Sequence, residues 1–138
     1  MLGVTMQSPV RSIVSTVAAT IAPTATLREA AEELAAELVG ILVVEDPRGV
    51  LGVVSERDIV RALAEGGSPD IDRVRDVMTE ELATVDADAT IVAAAQAMMA
   101  AEIRHLAVAS GKDLVGVVSV RDVVNVMLEE TARDTVAN

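Results

Sequence analysis

The chain contains an internal repeat that extends over most of its length. The segment Gly52–Val60 (GVVSERDIV) recurs 64 positions later as Gly116–Val124 (GVVSVRDVV), with seven of nine residues identical. The same offset, with no insertion or deletion, also pairs Thr20, Ala25, Thr26, Ala30, Ala31, Leu42 and Val44 with Thr84, Ala89, Thr90, Ala94, Ala95, Leu106 and Val108. One repeat of this size cannot bury its apolar face alone, so the two copies are expected to pack together.

Length and composition limit the class of protein. A chain of 138 residues fits one compact domain, and 51% of its residues are hydrophobic although Phe, Tyr and Trp are absent. The core is therefore aliphatic, and a bound purine ring would lie between aliphatic side chains. The net charge of −11 disfavours nucleic acids and anionic membranes as partners. Because Cys, a signal pattern and long apolar runs are all absent, we expect a cytoplasmic protein without disulfides or thiol chemistry.

The first repeat reads as a short strand, a helix, two strands and a second helix. Thr26 and Glu29 form a capping-box pattern at the start of the first helix, and Gly40 is predicted to end it. Strands are predicted at 41–44 and 50–54 on either side of a turn, and Ser55 opens the second helix. The predicted inward-facing residues are Leu27, Ala30, Ala31, Leu34 and Leu38 on the first helix and Ile59, Val60 and Leu63 on the second.

The second repeat has the same plan. An extended segment at Thr84-Val85 precedes a helix at 90–101, whose predicted inward face is Ile91, Ala94, Ala95 and Met98. Strands are predicted at 105–108 and 114–118, and the closing helix is predicted from Val120 to about Glu130.

This pattern resembles a tandem pair of CBS domains, the small regulatory unit named after cystathionine β-synthase. The residues that carry the resemblance are Leu51–Val54 followed by Ser55-x-Arg57-Asp58, the segment Asp76-Val77-Met78-Thr79, and Ile103–Val108. The resemblance covers about residues 10–130. It implies an α/β fold of two tandem β-α-β-β-α repeats related by pseudo-two-fold symmetry, with two clefts between them. We accordingly expect a loosely held N-terminal arm (1–9), a first repeat (10–66), a linker (67–73), a second repeat (74–130) and a tail (131–138).

Each repeat places Ser, Arg and Asp where a buried strand leads into a helix. In the first repeat these residues are Ser55, Arg57 and Asp58, and in the second they are Ser119, Arg121 and Asp122. Amides at a helix start and an Arg side chain attract phosphate, whereas the Asp is placed to accept from ribose hydroxyls. A Ser followed three residues later by an acid is also a capping box that needs no ligand. Capping and binding are compatible, and the sequence leaves both open.

The resemblance implies further ligand contacts in each repeat. It assigns the base of an adenosine ligand to the early extended segment and the second strand. These residues are Thr20, Ile21, Ala22, Ile41 and Leu42 in the first repeat, and Thr84, Val85, Asp86, His105 and Leu106 in the second. Arg104 and His105 stand where the first repeat has Gly40 and Ile41, and Val120 replaces Glu56. The second site is therefore expected to prefer the more anionic ligand.

Other candidate chemistry is weak in this sequence. His105 is the only histidine, with no Cys or second His to complete a catalytic pair, and it reads as a partly buried strand residue. Asp86 and Asp88 flank a helix start, where the helix dipole favours acids, so we predict no metal site. No nucleophile–base pair or phosphate-binding glycine loop is present, so we predict that the chain is not an enzyme.

Two hypotheses remain. In the first, the pair is a regulatory module that binds AMP, ADP, ATP or S-adenosylmethionine, requires no cofactor, forms a homodimer and signals in trans to an unknown protein target. Action in trans is expected because few residues lie outside the pair. The alternative is a structural or dimerisation module with empty clefts.

Overall fold

The computed structural model describes residues 3–14, 19–80 and 83–137. The chain divides into two compact units. Residues 19–80 form the first-repeat unit, and residues 3–14 together with 83–137 form the second-repeat unit. Each unit combines helices with a three-stranded sheet, which confirms the predicted α/β repeat fold. In the described ranges, no helix is long and apolar enough to cross a membrane.

The first-repeat unit contains six elements. They are strand β1 (Thr20–Ile21), helix α1 (Leu27–Glu37), strands β2 (Ile41–Asp46) and β3 (Gly49–Ser55), helix α2 (Glu56–Ala64) and the short helix α3 (Val74–Val77). β1 runs parallel to β2, which runs antiparallel to β3, in the order β1-β2-β3. The core between sheet and helices is formed by Leu27, Ala30, Leu34, Leu42, Val44, Val54, Ile59 and Val74.

Helix α1 begins as predicted. The Thr26 hydroxyl accepts from the Glu29 amide at 3.1 Å, and the Glu29 carboxylate accepts from the Thr26 amide at 3.0 Å. The inward stripe is narrower than predicted, because Ala31 and Leu38 are exposed. On α2 likewise, Ile59 is buried but Val60 and Leu63 are exposed.

The prediction that Gly40 ends α1 was wrong. The helix ends at Leu38, which adopts the left-handed conformation at φ 56°. The Val39 amide then donates to the Leu34 carbonyl at 3.2 Å, the long hydrogen bond of a Schellman motif. The helix at Ile91–Ala101 of the second-repeat unit ends in the same way at Glu102, where φ is 55°.

The second-repeat unit repeats this architecture. Its elements are a 3₁₀ turn (Val10–Ser12), strand β4 (Thr84–Asp86), helix α4 (Ile91–Ala101), strands β5 (His105–Ser110) and β6 (Asp113–Ser119) and helix α5 (Val120–Ala137). The sheet order is β4-β5-β6, parallel and then antiparallel. On α4, Ile91, Ala94 and Met98 are buried and Ala95 is half-buried, close to the predicted stripe. The closing helix continues past Glu130, so much of the predicted tail is helical.

The described part of the N-terminal arm, residues 3–9, is not loosely held, contrary to the prediction. The amides of Ile91 and Val92 donate to the carbonyls of Ser8 and Met6, both at 2.9 Å. Val10 is fully buried in the core of the second-repeat unit. The residues from Met6 to Val10 therefore close the core of the second-repeat unit, although in sequence they lead into the first repeat.

The extension of α5 fixes the same segment from its other side. Arg133 donates to the Val4 carbonyl at 2.5 Å, and the Glu130 carboxylate accepts from the Met6 amide at 3.3 Å. The Arg133 guanidinium also lies against Gly3, where a Cβ would be 2.7 Å from Nη1. The segment Gly3–Met6 and the last turns of α5 thus stabilise each other within this unit.

Helix α3 closes the first-repeat unit in the same manner. Val74 is fully buried, and its amide donates to the Ala25 carbonyl at 2.8 Å. Thr79 then exchanges two backbone hydrogen bonds with Val53, at 2.8 and 3.0 Å, and its carbonyl lies against Gly52. Neither α3 nor the turn at Val10–Ser12 was predicted from the sequence.

Candidate functional site

The first candidate site lies where β3 leads into α2. Ser55 pairs with Ile41 across the sheet and is the N-cap of α2. Its hydroxyl accepts from the Asp58 amide at 3.2 Å, and Asp58 Oδ2 accepts from the Ser55 amide at 2.9 Å. The capping box weighed in the sequence analysis is therefore present. It uses one carboxylate oxygen of the half-buried Asp58 and leaves Oδ1 for a ligand.

The amides of this helix start are largely satisfied before any ligand binds. A helix start leaves four amides without an intrahelical acceptor. Here Ser55 and Asp58 supply acceptors for each other's amides, and the Glu56 amide donates to the Gly40 carbonyl at 3.0 Å. Among the residues that the structure describes, the amide still open to a ligand is that of Arg57. The exposed Arg57 thus offers an amide and a guanidinium from one residue.

The second candidate site has the same geometry at the start of α5. Asp122 Oδ2 accepts from the Ser119 amide at 2.8 Å, and the Ser119 hydroxyl accepts from the Asp122 amide at 3.2 Å. The Val120 amide donates to the Arg104 carbonyl at 2.9 Å, which leaves the Arg121 amide open within the described part of this unit. The acceptor role of residues 40 and 104 was missed in the sequence analysis, because a hydrogen bond between distant residues leaves no local pattern.

The strand residues assigned to the base lie at two distances from each helix start. Ile41 and the half-buried His105 are paired directly with the capping serines. Thr20 and Thr84 lie on the far side of the central strand, two strand spacings across and two residues along, about 12 Å from the serines. Ile21 and Val85 lie one position further along these strands, with Ala22 just beyond Ile21 and Asp86 just beyond Val85. A ligand that uses both groups must therefore extend across β2 or β5.

Two of the assigned residues are closed off from solvent by their neighbours. Leu42 is 0% exposed and Leu106 is 3% exposed, and both side chains belong to the cores of their units. The aliphatic side chains that could contact a base are therefore half-buried ones such as Ile21, Ile41 and Val85.

The acids at the start of α4 already have partners. Asp86 Oδ1 accepts from the Asp88 amide at 2.8 Å, and Asp88 forms an ion pair with Arg11 at 2.5 Å. In the described residues, no group of three His, Cys, Asp or Glu side chains is placed to hold a metal ion.

Comparison with known proteins identifies the family. The family model described as "CBS domain" matches residues 10–65 and again residues 74–129. The chain belongs to the CBS domain family and carries two copies of the domain. The doubled capping boxes described above therefore lie at equivalent positions of two CBS domains.

Relatives and solved structures agree with this assignment. The chain is 38% identical over 98 residues to the mitochondrial CBS domain-containing protein CBSX3 of Arabidopsis thaliana. That match covers 67% of this chain and 48% of the relative, so the chain spans about half the length of the curated relatives it matches.

Two solved structures illustrate the fold. A CBS-domain-containing protein from Agrobacterium tumefaciens is 29% identical with a TM-score of 0.83, covering 92% of this chain and 98% of that one. A CBS domain protein from Pyrobaculum aerophilum, solved as a complex with AMP, is 32% identical with a TM-score of 0.76, covering 90% and 98%.

Proposed function

We propose that this CBS pair is a regulatory module that binds an adenosine-containing ligand, such as AMP, ADP, ATP or S-adenosylmethionine, and signals to a partner protein. The observation that carries the proposal is the doubled helix start. In each unit one Arg amide, one guanidinium and one Asp oxygen remain for a ligand beside a capping serine. The AMP complex of the Pyrobaculum protein supports adenosine as the ligand class.

In this proposal the three groups divide a nucleotide between them. The amide and guanidinium of Arg57 or Arg121 bind the phosphate, since charged donors form the stronger hydrogen bonds. The remaining oxygen of Asp58 or Asp122 accepts from ribose hydroxyls, with the capping Ser55 or Ser119 beside it. The base lies against Thr20, Ile21, Ala22 and Ile41 in one site and against Thr84, Val85, Asp86 and His105 in the other, with Leu42 and Leu106 buried behind them. Arg104 adds a positive charge to the second site.

The first test is a thermal-shift panel with AMP, ADP, ATP, NAD and S-adenosylmethionine, followed by calorimetric stoichiometry. A ligand that binds only the folded state at 100 times its Kd adds about 2.7 kcal/mol to the free energy of unfolding. We expect at least one adenosine ligand to raise the melting temperature. No shift with any of them at millimolar concentration would contradict the proposal.

A matched pair of variants separates binding from capping. Asp58→Ala removes the reciprocal acid of the capping box at the site, whereas Glu29→Ala removes the equivalent acid at α1, which is not part of the site. Both should lose a similar small amount of stability, because each variant removes one acceptor of a capping box. Only Asp58→Ala should also weaken ligand binding, and equal ligand affinity in the two variants would assign Asp58 to capping alone.

The alternative function, a dimerisation module without ligand, rests on exposed apolar side chains. Val60 is 65% exposed on α2, and on α5 Met127 and Leu128 are 50% and 63% exposed. A homodimer that covers them is compatible with either function. Sedimentation equilibrium of the wild type and of Leu128→Glu tests it, since a dimer that buries this residue dissociates when a charge is placed there.

Three further expectations belong to this proposal. Absence of catalysis is expected because the sequence offers no nucleophile–base pair or phosphate-binding glycine loop, and turnover of any nucleotide by the purified chain would overturn it. Signalling in trans and a cytoplasmic location stay predictions from the sequence.

A further inference from the structure

Two pairs of positions flank the candidate sites and differ between the repeats. Residues 40 and 56 are joined by the hydrogen bond from the Glu56 amide to the Gly40 carbonyl, at 3.0 Å. Residues 104 and 120 are joined by the equivalent bond at 2.9 Å. Each pair is therefore fixed beside the capping serine and the open Arg amide. The side chains of Glu56, Arg104 and Val120 are exposed, so a ligand bound at the helix start would lie near them.

The two pairs give the helix starts opposite charge. In the first site Glu56 and Asp58 outnumber Arg57, which leaves a formal charge of −1. In the second site Arg104 and Arg121 outnumber Asp122, which leaves +1. The Ser, Arg and Asp that would hold the nucleotide are the same in both. The difference of two charges therefore comes entirely from the flanking pairs.

One acid in the second-repeat unit has a charge opposite to that of Arg104, but it lies far from the start of α5. Asp86, which replaces Ala22 of the first repeat, pairs with Ala109 on β5. Ala109 is four residues along the strand from His105, about 13 Å at the usual rise per residue. Asp86 also accepts a hydrogen bond from the Asp88 amide. It therefore does little to offset Arg104 at the helix start.

We propose that the two sites select adenosine ligands by the charge of the 5′ substituent. The second site takes a nucleotide, whose 5′ group is an anionic phosphate chain. The first site takes an adenosyl compound whose 5′ substituent is neutral or cationic, such as a thioether or a sulfonium. This inference rests on the proposed function and names the ligand class of each site. Since the charges are exposed and screened by salt, the expected selectivity is on the order of tenfold.

The test exchanges the flanking pairs in the full chain. Gly40→Arg with Glu56→Val gives the first site the charge of the second, and Arg104→Gly with Val120→Glu does the reverse. Each site is measured alone by adding Asp58→Ala or Asp122→Ala to silence the other. The probes are ATP and 5′-methylthioadenosine, titrated calorimetrically at low salt. We expect each exchange to move the ratio of the two affinities about tenfold toward that of the other site.

Single substitutions keep the test independent of folding. Both single substitutions are at exposed positions: Glu56→Gln removes one charge at constant size, and Arg104→Gln removes one charge and leaves a shorter polar side chain. Glu56→Gln should raise ATP affinity at the first site, Arg104→Gln should lower it at the second, and added salt should erase both effects. Val120→Gln is the matched neutral control for Val120→Glu and should leave the affinity ratio as in the wild type.

The outcomes separate this inference from the function on which it rests. If the wild type binds neither probe, the proposed function itself fails. If both sites bind but the exchanges and single substitutions leave the affinity ratios unchanged, the charge selection is overturned while the adenosine-binding function stands.

Discussion

Gly52 shows how a single residue of the repeat is fixed by packing. A Cβ at this position would collide with the Thr79 carbonyl, a backbone atom that cannot move aside. We therefore expect Gly52→Ala to lower the free energy of unfolding by about 3 kcal/mol, the upper range for overpacking. Gly111→Ala is the control: its Cβ meets nothing, so only its left-handed φ of 61° costs energy, about 1 kcal/mol. Urea unfolding of both variants measures the difference, and equal costs would contradict the steric explanation.

Glu29 makes the capping of α1 dependent on pH. Its hydrogen bonds with the Thr26 amide and hydroxyl hold its pKa below the ordinary value of 4.5. A carboxylate whose pKa is lowered by folding contributes stability above its unfolded pKa, and that contribution is lost as the pH falls through the folded pKa. We expect urea midpoints to fall below about pH 4.5, and Glu29→Gln to reduce this slope. A slope that is the same in Glu29→Gln and in the wild type would contradict this explanation.

At the residue scale, the sequence predicts local interactions and misses distant ones. The capping boxes at Thr26 and Ser55 are visible because both partners lie within four residues. The end of α1 at Leu38 is not visible, since Leu rarely adopts a left-handed conformation and Gly40 offered the stronger local signal. The acceptor role of the Gly40 carbonyl depends on the sheet, which brings residues 40 and 56 together.

The two helix ends at Leu38 and Glu102 are strained elements that a substitution can relieve. Both residues adopt φ near 55°, a conformation that costs a residue with a Cβ but not glycine. Leu38 is 87% exposed, so replacing it removes little packing. We expect Leu38→Gly and Glu102→Gly each to raise the free energy of unfolding by roughly 0.5–1 kcal/mol. Leu38→Ala keeps the Cβ and should bring no gain, whereas equal stability of the Gly and Ala variants would contradict this explanation.

The regular elements could be predicted because their patterns are long enough. Strands β2, β3, β5 and β6 follow apolar runs bounded by turns, and the helices follow apolar residues at helical spacing. Helix α3 and the turn at Val10–Ser12 have four and three residues, too few to show a period. The repeat offset is a weaker indication of these two elements. It places Val10 and Val74 at equivalent positions, and both are fully buried in the structure.

At the scale of the whole molecule, the sequence repeat and the packing unit do not coincide. The segment that opens the first repeat packs in the second-repeat unit, and α3, which opens the second repeat, packs in the first-repeat unit. The sequence repeat does not reveal that the two opening segments are exchanged between the units. The repeat would be the same if each segment packed in the unit of its own repeat. Which core receives Val10 or Val74 is decided by contacts between residues far apart in the chain, and this is the part of the fold that the sequence does not show.

The exchange predicts which fragment of the chain can fold alone. Residues 19–80 contain β1 through α3 and the complete core with Val74, whereas residues 10–66 lack α3 and carry Val10, whose contacts belong to the other unit. Domains of about 60 residues are marginally stable. The fragment 10–66 lacks the buried Val74 and the backbone pairing of Thr79 with Val53, and this loss should be enough to prevent folding. We expect 19–80 to unfold cooperatively in urea and 10–66 to show little cooperative structure by circular dichroism.

Within 19–80, Val74→Ala should lower stability by about 2 kcal/mol, whereas Ile71→Ala at an exposed site should not. If 10–66 folds as well as 19–80, then the sequence repeat and not the exchanged unit is the folding unit.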